Sequence, residues 1–375
     1  MKTKLIAWYL PQYHNIPEND EFWGKGFTDW VTVRKARPLY KGHLQPKVPL
    51  NNNYYDLSIK ENVVWQAKLA KDNGIHGFGI YHYWFNDEKN LLTKPAEIIY
   101  DNQDIDINYF FAWDNASWIR SWSAINGNVW ASIAEKKYDR HKDNGILIPY
   151  ILGKEKEWEN HFNHILHFLK DKRYIKVANK PVFVILQYDE DIKKMCKYWN
   201  DLAKKNGFAG IHFIFKNKRW FNWDENAIRF NYEPHYDGWD NPTMWERRIE
   251  KIKTIVKISS KNYFYNYDTI WKRIIKNAKE ASPNELLGAF VGFDDSPRRI
   301  NNGRIVKGAS PEKFKQYLSK LIDISEKQNK DFIFITAWNE WGEGAYLEPD
   351  NIHQYDYINA IKELSMNTLL WEKKE

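Results

Sequence analysis

Phe332-Ile333-Phe334-Ile335-Thr336-Ala337 runs without a break into Trp338-Asn339-Glu340-Trp341-Gly342-Glu343-Gly344. The first part is apolar or β-branched with no polar alternation, which predicts a strand buried on both faces, as in a parallel sheet covered by helices. The end of that strand then delivers two carboxylates three residues apart, Glu340 and Glu343. Glycines on both sides of Glu343 permit a tight turn, and Trp338 and Trp341 supply flat apolar faces of the kind that stack on sugar rings. Paired carboxylates beside such surfaces point to acid/base chemistry on a carbohydrate.

Seven more runs of this kind precede it: Leu5 to Tyr9, Gly77 to Trp84, Tyr109 to Trp113, Val182 to Gln187, His212 to Phe215, Ile228 to Glu233 and Ala289 to Phe293. Helical patterns lie between them. The first, Leu57 to Asp72, carries Val63, Val64, Ala67 and Ala70 on one side and has Gly74 as a stop; the others are His161 to Lys170, Asp191 to Lys205, Tyr267 to Ala278 and Pro311 to Lys327. Buried strands alternating with amphipathic helices predict an α/β fold, a (β/α)8 TIM barrel with long βα loop insertions. The strand ends are polar or aromatic throughout, among them Asp114, Gln187, Lys216 and His235, which places the chemistry on the C-terminal face. A doubly wound open sheet, the alternative, would concentrate function at one switch point. The stretches about 12–55 and 115–150 exceed simple connections and are expected to wall the site. Neither has linker composition, so residues 1–375 are expected to form one domain.

With 375 residues and 43% hydrophobic content the chain can bury a full core, and its 19 Trp and 23 Tyr exceed what packing needs. Part of that aromatic surface is expected to bind something. The net charge of +7 is mostly dispersed lysine, which solubility explains. Lys216-Asn217-Lys218-Arg219-Trp220-Phe221-Asn222-Trp223 interleaves cations with aromatics; it suits a phosphate, an anionic glycan or a membrane surface as well as a solvated loop, so peripheral membrane contact stays open. No nucleic-acid motif accompanies it, and nucleic acid is not an expected partner. Cys196 is alone, which excludes an intramolecular disulfide. His82, His235 and Asp294 lack metal-ligand spacing, so neither metal nor cofactor is expected. The N-terminal apolar run meets Pro11 too early for a signal or a membrane span, which leads to an expected cytoplasmic location with no transmembrane segment.

Several motifs together carry a resemblance. They are Ile6-Ala7-Trp8-Tyr9-Leu10-Pro11-Gln12-Tyr13-His14, Trp23-Gly24-Lys25-Gly26-Phe27-Thr28-Asp29-Trp30, Tyr81-His82-Tyr83-Trp84-Phe85, Glu233-Pro234-His235, Phe293-Asp294-Asp295-Ser296-Pro297-Arg298-Arg299, and Ala337 to Gly344 with Leu347-Glu348-Pro349-Asp350. Across essentially the whole chain they resemble the WbsX-type glycosyltransferases, which are encoded with O-antigen and capsule genes and are related to glycoside hydrolase family 99, the endo-α-mannosidases. The resemblance implies a (β/α)8 barrel in which Glu340 acts as a base on a sugar 2-hydroxyl, an anhydro-sugar intermediate forms, and Glu343 protonates the leaving oxygen. Motifs and strand ends together nominate Tyr9, Tyr13, His82, Trp84, Trp113, Asn115, Trp118, Glu233, His235, Asp294, Arg298, Trp338, Asn339 and Glu348 as substrate contacts. Tyr9, Trp84, Trp118 and Trp338 are the expected aromatic walls.

Two departures bear on sugar specificity. Ala116 stands where the family pattern has glutamate, and Asp294-Asp295 stands where Asp-Asn is commoner. Three readings remain open. One is a transferase of surface-polysaccharide assembly, acting on an oligosaccharide or polysaccharide, lipid-linked forms included, with a nucleotide-sugar donor left open. The others are an endo-acting glycoside hydrolase and a carbohydrate-binding barrel without catalysis.

Overall fold

The computed structural model describes residues 3–119, 146–240, 262–299 and 303–372. Eight parallel strands form the centre: β1 (Lys4–Tyr9), β2 (Gly77–Asn86), β3 (Asn108–Trp113), β4 (Lys180–Ile185), β5 (His212–Lys216), β6 (Arg229–Phe230), β7 (Glu285–Phe290) and β8 (Phe332–Thr336). Each pairs with its neighbours in sequence, and β1 pairs with both β8 and β2, so the sheet closes into a barrel without a free edge. Around and above it lie α1 (Pro17–Trp23), α2 (Asp29–Lys35), α3 (Lys60–Asp72), α4 (Lys94–Asp101), α5 (Glu155–Lys170), α6 (Glu190–Lys205), α7 (Tyr267–Lys279), α8 (Pro311–Lys327) and α9 (Asp356–Glu372). This is the (β/α)8 barrel that the strand pattern predicts. Residues 217–228, between β5 and β6, carry no helix.

Aromatic rings fill the barrel interior. Trp8 of β1 points inward and lies 5.0 Å from both Phe334 and Phe230, stacked on the first. Room for its ring exists only because β2 carries glycine opposite: a Cβ on Gly79 would stand 2.5 Å from the indole. Since side chains alternate along a strand, an inward Trp8 sends Tyr9 outward to the helix layer.

Several boundaries differ from the sequence reading for local reasons. The helix expected from Leu57 begins at Lys60, because Asp56 Oδ1 accepts from the backbone of Ser58 at 2.7 Å and holds that segment in a turn. Its buried stripe is Val63, Gln66, Ala67 and Ala70. α5 starts six residues before His161, where Glu157 caps the Lys154 N–H at 2.9 Å. β7 spans Glu285–Phe290, earlier than Ala289 to Phe293, its start being masked in sequence by Ser282-Pro283-Asn284. Of the loop expected over 115–150, residues 120–145 lie outside the described ones. No helix of the described residues is long and apolar enough to cross a membrane.

Candidate active site

β8 ends at Thr336, and the chain then folds back: Asn339–Glu340 pairs antiparallel with Ala345–Tyr346 around a tight turn, Trp341–Glu343. Gly344 closes the turn at φ +58°, a left-handed conformation that glycine adopts without strain. Gly342 is required for a different reason. A Cβ there would come within 2.6 Å of both Arg298 Nε and Asp29 Oδ2. The turn is thereby pressed onto a charged cluster, and both glutamates face a cavity of about 530 Å³ at the C-terminal end of the barrel.

Arg298 organises that cluster. Its Nη1 donates to Glu343 Oε1 at 2.7 Å, and its Nη2 reaches Glu340 Oε2 and Asp29 Oδ2, each at 3.3 Å. The Glu340 side chain is 6% exposed and that of Glu343 21%, so Glu343 opens more freely into the cavity. Burial, reinforced by the charge on Glu343 and opposed by Arg298, pushes Glu340 up to about 8. Tyr81 and Tyr232 line the same space with their hydroxyls 2.7 Å apart, and burial holds both phenols neutral. Asp114, after β3, and Lys216, at the end of β5, both stand in the cavity wall; burial lifts Asp114 to about 6, with the Lys216 charge opposing.

Of the residues nominated from sequence, Glu340, Glu343, Arg298 and His235 line this cavity. His235 is half-buried, its buried Nε2 has no hydrogen-bond partner among the described residues, and desolvation keeps the ring neutral.

Three more stand directly behind the turn Trp341–Glu343. The Tyr13 hydroxyl donates to Asn339 O at 2.5 Å and accepts from Trp341 N at 3.2 Å. Asn339 brackets the Leu10 backbone, accepting from its N at 2.7 Å and donating to its O at 3.0 Å. Glu348 accepts from Trp341 Nε1 at 2.6 Å, Tyr55 at 2.7 Å and Gln66 at 2.7 Å, in a site whose burial lifts it to about 7. Asn115 repeats the device of Asn339 across the barrel, with two 2.8 Å bonds to the Gln187 backbone. These side chains splice neighbouring strand ends together beyond the last ladder bond.

The structure places the remaining nominees outside the cavity. Tyr9 donates to Gln66 of α3 at 2.7 Å, and Trp338, fully buried, packs on Phe78. His82 meets His161 of α5 at 2.8 Å, Trp84 stacks flat on the same ring at 4.6 Å, and Trp113 donates to Trp84 O at 2.9 Å. Strand alternation explains this group: on β2 the inward positions are Tyr81 and Tyr83, and the even ones face the helices. Trp118 packs against Trp23, itself a cavity residue, at 5.6 Å. Glu233 is buried and accepts from Asp237 N at 3.1 Å, while Asp294 belongs to a second cavity. None of the four expected aromatic walls lines the main cavity. Trp23, Phe27, Tyr81, Tyr83 and Tyr232 do.

Comparison with known proteins adds to this geometry. The family model described as Glycosyltransferase WbsX matches residues 5–361. The uncharacterized protein WxcX of Xanthomonas campestris pv. campestris is 26% identical over 377 residues, which cover 97% of this chain and 50% of that protein. The chain thus spans about half the length of the curated relatives it matches. Among solved structures, a glycoside hydrolase-like protein aligns with a TM-score of 0.58 at 12% identity, over 97% of this chain and 94% of the other. The GH99 endo-alpha-mannosidase from Bacteroides thetaiotaomicron aligns with a TM-score of 0.53 at 13% identity, over 98% of each chain. At such identities these two speak for a shared fold.

Proposed function

Because this chain belongs to the WbsX glycosyltransferase family, we propose that it acts at a glycosidic bond in cell-surface polysaccharide assembly, with Glu340 and Glu343 as its base and acid. The observation that carries this reading is the carboxylate pair, bridged by one arginine and facing an aromatic-walled cavity. Glu340, whose burial raises its proton affinity, takes the proton of a sugar 2-hydroxyl, and that oxygen attacks C1. Glu343, the more open of the two, gives a proton to the departing oxygen. An acceptor hydroxyl then opens the anhydro ring at C1 and loses its proton to Glu343, while Glu340 returns its proton to the 2-oxygen. If water takes the acceptor's place the same steps give hydrolysis, the second reading, which the glycoside hydrolase fold favours.

Mass spectrometry of glycans incubated with the protein tests both. Extension of an acceptor only when a nucleotide-sugar donor is present supports transfer, and cleavage without a donor supports hydrolysis. If no glycan changes in either arm across a panel of surface polysaccharides, the proposal fails.

The chemistry also sets a pH dependence. It needs one carboxylate and one carboxyl group, and two carboxyls that repel each other's charge hold a single proton between them. The raised value near 8 marks the loss of that proton. Activity, measured as kcat/KM, is therefore expected to fall as pH rises through about 8, by about tenfold per unit beyond it. A profile that stays level well above that pH would show that no shared proton is needed.

A further inference from the structure

A second cavity, of about 330 Å³, uses groups that the chemistry above leaves idle. It backs onto the catalytic turn through Gly344 and through Asp294, whose N–H donates to Glu343 O at 2.6 Å. Its other walls come from the first long loop, including Tyr40, His43 and Lys47, and from Lys307 to Ala309, just ahead of α8.

Each carboxylate in the wall already accepts three hydrogen bonds. Asp294 Oδ2 is met by His43 Nε2 and Gln45 Nε2, each at 2.7 Å, and Oδ1 accepts from Ser296 N at 3.1 Å. His43 Nδ1 accepts from Leu39 N at 3.1 Å, which puts the ring proton on Nε2 and makes this a neutral donor. Asp350 Oδ2 accepts from Tyr346 at 2.6 Å, and Oδ1 from Ile352 N at 2.8 Å and His353 N at 2.5 Å.

The cations are in the opposite condition. Lys47 is partly buried in the wall and its Nζ has no hydrogen bond or ion pair among the described residues; burial pulls its proton affinity down against the charges of Asp294 and Asp350. Lys307 stands over the rings of Tyr40 and Phe264 at 4.0 and 4.1 Å and likewise has no carboxylate within reach. For Lys47, an ammonium group drawn partly out of water with three unused donors is costly unless an acceptor arrives, and Lys307 at the exposed rim adds a second positive charge.

We propose that this cavity binds a phosphate group, its oxygens accepting from Lys47 and Lys307. Phosphate fits better than a carboxylate because it offers more acceptors and two negative charges to two free cations. The loops after β7 and β8, with the start of a following helix, are also where barrels of this kind supply an anion site.

Calorimetric titration tests this on the intact protein without reference to turnover, so its outcome is separate from that of the glycosidic reading. Inorganic phosphate is expected to bind saturably, and Lys47→Met to weaken it by about tenfold or more, as for one lost charge-assisted hydrogen bond. Should Lys47→Met fail to fold, Lys307→Ser, at the exposed rim, is expected to weaken binding in the same direction. Tighter binding of a hexose 1-phosphate than of phosphate identifies a glycosyl phosphate as the source, and equal binding identifies free phosphate; both support the site. Absence of saturable phosphate binding, unchanged affinity in the variants, or glucuronate binding as tightly as phosphate would overturn it.

Discussion

Glu343→Gln is expected to lower kcat by about two to four orders of magnitude, the usual contribution of a general acid, while leaving ligand affinity nearly unchanged. The amide keeps the shape of the side chain, and its carbonyl oxygen still accepts from Arg298 Nη1, as Glu343 Oε1 does at 2.7 Å. What it loses is the proton for the departing oxygen. A substrate with an activated leaving group, such as a nitrophenyl glycoside, needs no such proton, so the variant should recover much of its rate on it. Glu340→Gln should show no such recovery, because a base toward the 2-hydroxyl is needed whatever leaves. If Glu343→Gln keeps near wild-type turnover on an unactivated glycan, or if recovery appears in Glu340→Gln instead, the two roles are misassigned.

The barrel is readable in the sequence because burial on both faces leaves few polar residues inside a strand, His82 of β2 being one, and all eight apolar runs meet strands of the structure. What sits at each strand end is harder to read, since a parallel strand has no alternation to show which residues face the lumen. On β2 the run Tyr81-His82-Tyr83-Trp84 offers four candidates. The two with the more suggestive chemistry, His82 and Trp84, face α5. A guide was present in Gly79, which shares the parity of Tyr81 and Tyr83 and makes room inside the barrel for Trp8.

Asn115 and Asn339 are a different case. Both stand at strand ends, as a ligand contact would, but their hydrogen bonds go to the backbones of Gln187 and Leu10. A side-chain amide has the same donor and acceptor as a peptide group, so polarity alone does not separate a splice between strands from a contact with sugar. Asp29, by contrast, was visible within the motif Trp23 to Trp30. Its role depends on Gly342 N, 3.1 Å from Oδ2, and on Arg298, and neither pairing has any trace in local sequence.

Arg298→Met carries the second large effect, and it concerns the fold as well as the reaction. The guanidinium contacts Asp29, Glu340 and Glu343, the carboxylates that converge at the turn, and it is the cation that lowers Glu340 against burial and repulsion. Removing one member of such a cluster leaves the others uncompensated, which costs about 3–5 kcal/mol when the remaining charges stay buried. The sign of the pH dependence follows. Without Arg298 the carboxylates retain protons in the folded state to higher pH, whereas unfolded Asp and Glu release them near pH 4. Between these limits the folded chain binds more protons than the unfolded one, so stability must fall as pH rises. The Tm of Arg298→Met, relative to wild type, is thus expected to drop much further at pH 8 than at pH 5. Adding Glu340→Gln and Glu343→Gln to the Arg298→Met background should recover most of that loss, since the repulsion is gone, while leaving the protein inactive. An equal Tm loss at both pH values, with no recovery in the triple variant, would mean that Arg298 holds the turn by packing and not by charge.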